Sequence, residues 1–185
     1  MQFAERGHHR GNSTERLLDV EMILNDLEIG KGQTVLDAGC GNGYMVKRFA
    51  DRVGTAGRVI ALDLHNPAVD DLNNGNPYGN ITALQSDITR QTPLPDSSVD
   101  LVYISTVYHI FSEEQRAGFR REVRRLLKPG GRLAVVEMEK KPTPFGPPMA
   151  RRVSPRELEE AIRLEPLERK KAGGHFYMQI FRMTL

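Results

Sequence analysis

Residues 35–44 read VLDAGCGNGY: an apolar run that reaches an acid and then opens into three glycines at alternate positions. Glycine tolerates positive φ and, lacking a Cβ, lets another group approach the backbone closely. A strand that ends in such a turn holds a dinucleotide, a phosphate or some other adenosine-bearing molecule. The residues around the turn narrow the choice.

Four more short runs share the character of this strand: RVIALD (58–63), ITALQSD (81–87), VDLVYIS (99–105) and RLAVVEM (132–138), after TVLDA at 34–38. Each is rich in β-branched residues and apolar at consecutive positions, the pattern of strands buried on both faces. Helical periodicity falls between some of them. Met45, Val46, Phe49 and Val53 share one face over 43–53, and Phe119, Val123, Leu126 and Leu127 share one over 113–128. The second helix begins at Ser112 with Gln115 three residues on, a capping pair, and Lys128-Pro129-Gly130-Gly131 breaks it. Upstream, Asn12 with Glu15 predicts a helix bearing Val20, Ile23, Leu24 and Leu27 that stops at Gly30-Lys31-Gly32. Near the end Ser154, Pro155 and Glu157 announce another helix, followed by two strands turned back at Gly173-Gly174. Strands alternating with helices imply parallel crossovers. The expected fold is an α/β, Rossmann-like doubly wound sheet in a single domain over 1–185, with seven strands, mostly parallel, and an antiparallel strand at the C-terminal end. Residues 1–11 are polar and are read as a mobile segment or a flap, and 140–153 as a proline-rich connection.

Composition excludes several classes of function. A net charge of +2 is too small to argue for a polyanion partner, and one cysteine, Cys40, excludes a disulfide framework or a cysteine-rich metal site. The five histidines show no metal spacing. No apolar run approaches the ~18 residues of a membrane span, and the first residues lack a signal-peptide core, so a cytoplasmic location is expected. Arg116, Arg120, Arg121, Arg124, Arg125 and Lys128 crowd one helix, but no aromatic is interleaved for base stacking; they read as a solvent face relieved by Glu113, Glu114 and Glu122. Nucleic acid is not the expected partner.

Within the turn, no GxxxxGK[ST] string occurs, and the dinucleotide pattern GxGxxG fails because Tyr44 stands at its sixth place. Asp63 closes the second strand twenty residues after Gly43, where a carboxylate can accept from both ribose hydroxyls. Asp37 at the turn repels phosphate and suits an ammonium- or sulfonium-bearing ligand. A further acid, Asp87, closes the third strand.

DAGCGNG (37–43), ALD (61–63), SDI (86–88), DLVYISTVYHIF (100–111) and LLKPGGRLAVVEM (126–138) together resemble the motif series of class I S-adenosylmethionine (SAM)-dependent methyltransferases. The resemblance covers about residues 15 to 140, and the chain is similar to the small-molecule group that includes quinone-biosynthesis methyltransferases. It implies SAM as cofactor and a small-molecule methyl acceptor. It implies that the backbone of Gly39, Gly41 and Gly43 approaches the methionyl part, with Asp37 ordering the turn near the ammonium. Asp63 would take the ribose hydroxyls, Leu64 would pack on the adenine, Asp87 would accept from the adenine amino group with the backbone of Ile88 beside it, and Ser105 would line the methionyl pocket.

A sulfonium is already an activated methyl donor, so a general base is needed only where the acceptor must lose a proton. His109, just after the fourth strand, is the best candidate by residue type, with Tyr108 and Glu137 behind it and Glu139 nearby. Phe145, Met149 and Arg152 in the proline-rich connection are expected either to line the acceptor site or to form a stiff surface link. The string NPYG at 76–79 resembles an amine-methylating signature but precedes the third strand instead of following the fourth, which argues against adenine or amide methylation. Ile162-Arg163-Leu164 replaces the Gly-Phe usual after the last helix in similar chains. RNA or protein methylation, or SAM binding without transfer, remain the alternatives.

Overall fold

The computed structural model describes residues 14–74 and 77–184. The polar segment 1–11, Asn12 and Asn76 therefore lie outside the described residues.

Seven strands form one sheet: β1 (Thr34–Ala38), β2 (Arg58–Asp63), β3 (Ile81–Gln85), β4 (Val99–Ser105), β5 (Leu127–Met138), β6 (Glu165–Gly173) and β7 (Phe176–Arg182), in the order β3-β2-β1-β4-β5-β7-β6. The first five are parallel, and β7 runs antiparallel to both β5 and β6. Five helices accompany them: α1 (Val20–Asp26), α2 (Tyr44–Val53), α3 (Asn66–Asn74), α4 (Glu113–Leu126) and α5 (Pro155–Ile162). The chain leaves β1 toward β2 and β3 on one side and returns to β4 on the other, so the carboxyl ends of β1 and β4 flank a topological switch point. Ligands in such sheets bind there.

Alternation along each strand divides the core. Val35, Leu101, Tyr103, Val136 and Met178 pack with α1, α2 and α3 on one face; Leu36, Val102, Ile104, Leu133 and Val135 pack with α4 and α5 on the other. The caps predicted for α4 and α5 hold. Ser112 accepts from the Gln115 amide while Gln115 accepts from the Ser112 amide, and Ser154 and Glu157 repeat the arrangement with Pro155 in the first turn.

Several expectations need correction. The first helix is capped by Asp19, whose Oδ1 accepts from the Met22 amide at 3.1 Å, and is preceded by a separate 3-10 turn at Thr14–Leu17. The break arises because Leu18 bridges to Gly173 and the Asp19 amide donates to the Ala172 carbonyl, which ties this stretch to the β6 edge. Strand β3 ends at Gln85, since Asp87 folds the chain into a turn. Strand β5 starts earlier than expected, at Leu127, with Lys128–Gly131 looped out as a register shift against β4. Helix α3 carries only Val69 and Leu72 as buried anchors, too few to show as periodicity.

The arginine-rich face of α4 is not simply solvated. Glu122 is buried and accepts from the Thr92 amide and hydroxyl and from Arg125, whose guanidinium also reaches the Leu94 carbonyl and Asp96. Arg120 donates to the Ala161 carbonyl and Arg124 to that of Arg163. Gly118 explains how α4 comes so close: a Cβ there would lie 2.0 Å from the Thr89 carbonyl oxygen. These bases clamp the loop before β4 and the end of α5 onto the helix. Arg163 closes α5 at φ 56°, taking the left-handed place a glycine would occupy.

Candidate functional site

The glycine turn leaves β1 with the Gly39 and Cys40 amides both donating to the Leu62 carbonyl. Gly39, Gly41 and Gly43 all have positive φ. The space a Cβ would need is filled by Val107 at Gly39 and by Leu72 at Gly43, whereas nothing lies within 4 Å at Gly41. Protein packing alone thus demands glycine at two of the three positions, and Gly41 is the one facing open space. Asn42 caps α2 by accepting from the Tyr44 amide.

Three carboxylates surround this turn in different states. Asp63 accepts from the Gly41 amide through Oδ2 and from the His65 amide through Oδ1, at 2.9 and 2.8 Å. Each oxygen keeps a lone pair for a further donor. Asp37 is 3% exposed, and among the described residues no group donates to it. Burial, reinforced by the neighbouring Asp63 charge, pushes its carboxyl up to about 8. Asp87 commits Oδ1 to the Thr89 amide and hydroxyl, while Oδ2 lies 3.6 Å from exposed Arg90. Its capping role is real, and one oxygen is left over. Leu64 is 64% exposed beside Asp63, an apolar side chain presented to solvent, and Ile88 is buried. Ser105 ends β4 with a buried hydroxyl that faces the Tyr103 hydroxyl two residues earlier, and neither bonds to any further group among the described residues. The Cys40 thiol is buried and pushed up by that burial and by Asp37, so it is no nucleophile.

One strand further along, the ends of β4 and β5 open a cleft of about 660 Å³. His109 donates its amide to Glu137 Oε1 at 3.1 Å and sets Nδ1 2.9 Å from Glu137 Oε2. Glu137 is 1% exposed, so the pair is held from inside the sheet. With Nδ1 engaged, Nε2 is the ring nitrogen left to act, and His109 lines the cleft with Thr106, Met138, Phe145, Pro147 and Phe176. A carboxylate on Nδ1 fixes the tautomer with Nε2 unprotonated, the form that accepts a proton. Tyr108 does not share this role. Its ring is fully buried against Phe111 and Phe119, and burial pushes its phenol up to about 12. Glu139 pairs with Lys141, away from His109.

The proline-rich connection is folded by Arg152. Its buried guanidinium donates to the carbonyls of Glu139, Lys141, Phe145 and Pro147 and to the Thr143 hydroxyl. Arg152 thus shapes the loop and does not line the cleft, Phe145 does line it, and Met149 lies outside it. Gly146 lets the loop touch β5: a Cβ there would sit 2.4 Å from Met138 Sδ. Sequence reasoning missed Thr106, Arg16 and Leu17 as cleft residues. Thr106 takes φ 55°, rare for a β-branched residue, and this bend after β4 is strain at the cleft. No sequence signal marks a threonine for that conformation.

Residues 35–131 match a family described as methyltransferase domain, more than half of the chain. The chain belongs to the class I SAM-dependent methyltransferases. It is similar to the ubiquinone/menaquinone biosynthesis C-methyltransferases UbiE of Enterobacter sp. (strain 638) and Salmonella newport (strain SL254), 34% identical over 116 residues, or 60% of this chain and 45% of each relative. The match therefore spans less than half the length of those curated relatives. Among solved structures, a SAM dependent methyltransferase from Aquifex aeolicus superposes with a TM-score of 0.83 at 26% identity, over 94% of both chains. The [4+2]-cyclase SpnF shares the fold at a TM-score of 0.74 and 18% identity, over 97% of this chain and 85% of that one. One fold thus carries more than one chemistry.

The residues around the glycine turn fit the family's cofactor. A buried carboxyl without a donor suits an ammonium, the buried Ser105 and Tyr103 hydroxyls have bonding capacity left for a polar group, and open space faces Gly41. Among the described residues, no cluster of His, Cys, Asp or Glu is arranged to hold a metal, and no helix is long and apolar enough to cross a membrane.

Proposed function

We propose that this chain transfers the methyl group of SAM to a small molecule seated in the cleft beside His109. The observation that carries the reading is the His109–Glu137 pair, with Nδ1 engaged at 2.9 Å and the other ring nitrogen left for the cleft at the switch-point end of the sheet. SAM, when bound, supplies a methyl on sulfonium with a neutral leaving group. Asp37 would face its ammonium, Gly39, Gly41 and Gly43 its methionyl chain, and Ser105 the same part of the pocket. Asp63 would accept from the ribose hydroxyls, with Leu64 and Ile88 against the adenine and Asp87 accepting from its amino group.

For an acceptor that loses a proton, His109 Nε2 takes it while Glu137 holds the imidazole in place and faces the imidazolium that forms. Apolar walls from Met138, Phe145 and Phe176 exclude water and position the acceptor. The C-methyltransferase activity of the UbiE relatives supports carbon as one acceptor atom, where proton removal is part of the chemistry. A nucleic-acid substrate is less well supported, because Arg120, Arg124 and Arg125 are engaged inside the molecule.

The test combines binding and turnover. SAM and S-adenosylhomocysteine should raise the melting temperature, and NAD and ATP should not. Tritiated methyl from SAM should enter a fraction of a small-metabolite pool, and His109→Ala should lower that transfer about 100-fold with little change in SAM affinity. Comparable stabilisation by NAD would remove the cofactor assignment. Equal losses of binding and transfer would make His109 a cofactor or folding residue.

A further inference from the structure

The cleft beside His109 also contains a cation. Arg16 lines it, and among the described residues no carboxylate pairs with its guanidinium. The carboxylate that lines the cleft among the described residues, Glu137, is engaged through both oxygens by His109. Elsewhere Arg52, Arg116, Arg125 and Arg132 each have a carboxylate partner.

The position of Arg16 is anchored. It sits on the 3-10 turn Thr14–Leu17, which is followed at once by the Leu18–Gly173 bridge and the Asp19 amide bond to Ala172. Gly173 passes so close that a Cβ there would lie 2.5 Å from the Leu17 carbonyl. The tertiary structure thus sets Arg16, which has no carboxylate partner among the described residues, in the lining of a cleft whose walls include Phe145 and Phe176.

A guanidinium is a planar fork that matches a carboxylate bidentately. We infer that the acceptor cleft selects an aromatic acid: a ring between the apolar walls, a carboxylate on Arg16, and the proton-bearing acceptor group toward His109. This rests on reading the cleft as the acceptor site.

Two fluorescent probes of equal shape test it, 6-hydroxy-2-naphthoate and its carboxamide, titrated into the protein saturated with S-adenosylhomocysteine. Wild type should bind the carboxylate about 10-fold or more tightly than the amide at low salt, with the preference shrinking as salt rises. Arg16→Gln should bring the two to near parity, and His109→Ala should keep the preference. Arg16 is exposed, so Arg16→Gln should retain the wild-type melting temperature, which serves as the folding control. Parity in wild type, a preference surviving in Arg16→Gln, or binding of neither probe overturns the inference. Neither probe needs to be methylated, so failure of the charge preference is separate from failure of methyl transfer or of SAM stabilisation.

Discussion

Asp37 sits near the end of β1, in register with Ala61 and Tyr103 of the flanking strands, and its carboxyl is pushed up to about 8 by burial and by Asp63. The unfolded chain would release the same proton near pH 4. Between these values the native state holds a proton that the unfolded state has lost, so stability falls as pH rises from about 4 to about 8 and then levels off. Asp37→Asn removes this term. In urea titrations without cofactor the variant should lose less stability than wild type across that window. An ammonium seated on Asp37 favours the charged form, so SAM binding should expel a proton from wild type near neutral pH and not from Asp37→Asn. Calorimetry in buffers of different ionisation enthalpy reads that proton directly. Equal proton release in both proteins would place the ammonium elsewhere. The sequence showed an acid in the turn; that it is buried without a donor only the fold revealed.

At the scale of elements, the strands and capped helices were largely legible because their signals are local. β1, β2 and β4 occur with the expected bounds, since consecutive β-branched residues suit burial on both faces. The proline-rich connection was harder. Its apolar residues and prolines did not say that Arg152 would turn inward and gather four carbonyls and a hydroxyl. Arg152→Lys keeps the charge but cannot span those acceptors. It should cost about 3 kcal/mol of stability, measured in urea, because buried carbonyls lose their donors. The loosened loop carries Phe145 and Pro147, so the KM for the acceptor should rise about 10-fold while SAM affinity stays within a factor of about 2. An unchanged KM with the same loss of stability would make the loop a scaffold only. Helix α4 gives the converse lesson. Its arginines looked like a solvent face by spacing alone, and Glu122, Thr92 and the carbonyls that engage them come from elsewhere in the chain or from the buried side.

On the scale of the whole molecule, one hydrogen-bonded sheet separates two apolar layers, and β5 pairs with both β4 and β7. The expectation of a single domain then predicts one cooperative transition. Far-ultraviolet circular dichroism and tyrosine fluorescence, which reports Tyr103 and Tyr108 from opposite layers, should give coincident urea curves. SAM at 100 times its dissociation constant should shift both by about 2.7 kcal/mol. Two separated transitions, or a shift confined to one probe, would divide the chain into independent units.

By itself the sequence determined the alternation of elements, the glycine turn on β1 and the acids near the ends of the first three strands, because hydrophobic period, capping and turn chemistry act over a few residues. It also carried the family, through five short stretches in register. The tertiary structure decided the rest. Gly39 and Gly43 meet Val107 and Leu72 from distant segments, Glu137 reaches His109 from the neighbouring strand, and Arg16 comes to the cleft because Leu18 pairs with Gly173. Each of these joins residues between 28 and 155 positions apart. Such pairings follow from strand order and packing, and no local pattern of residues encodes them.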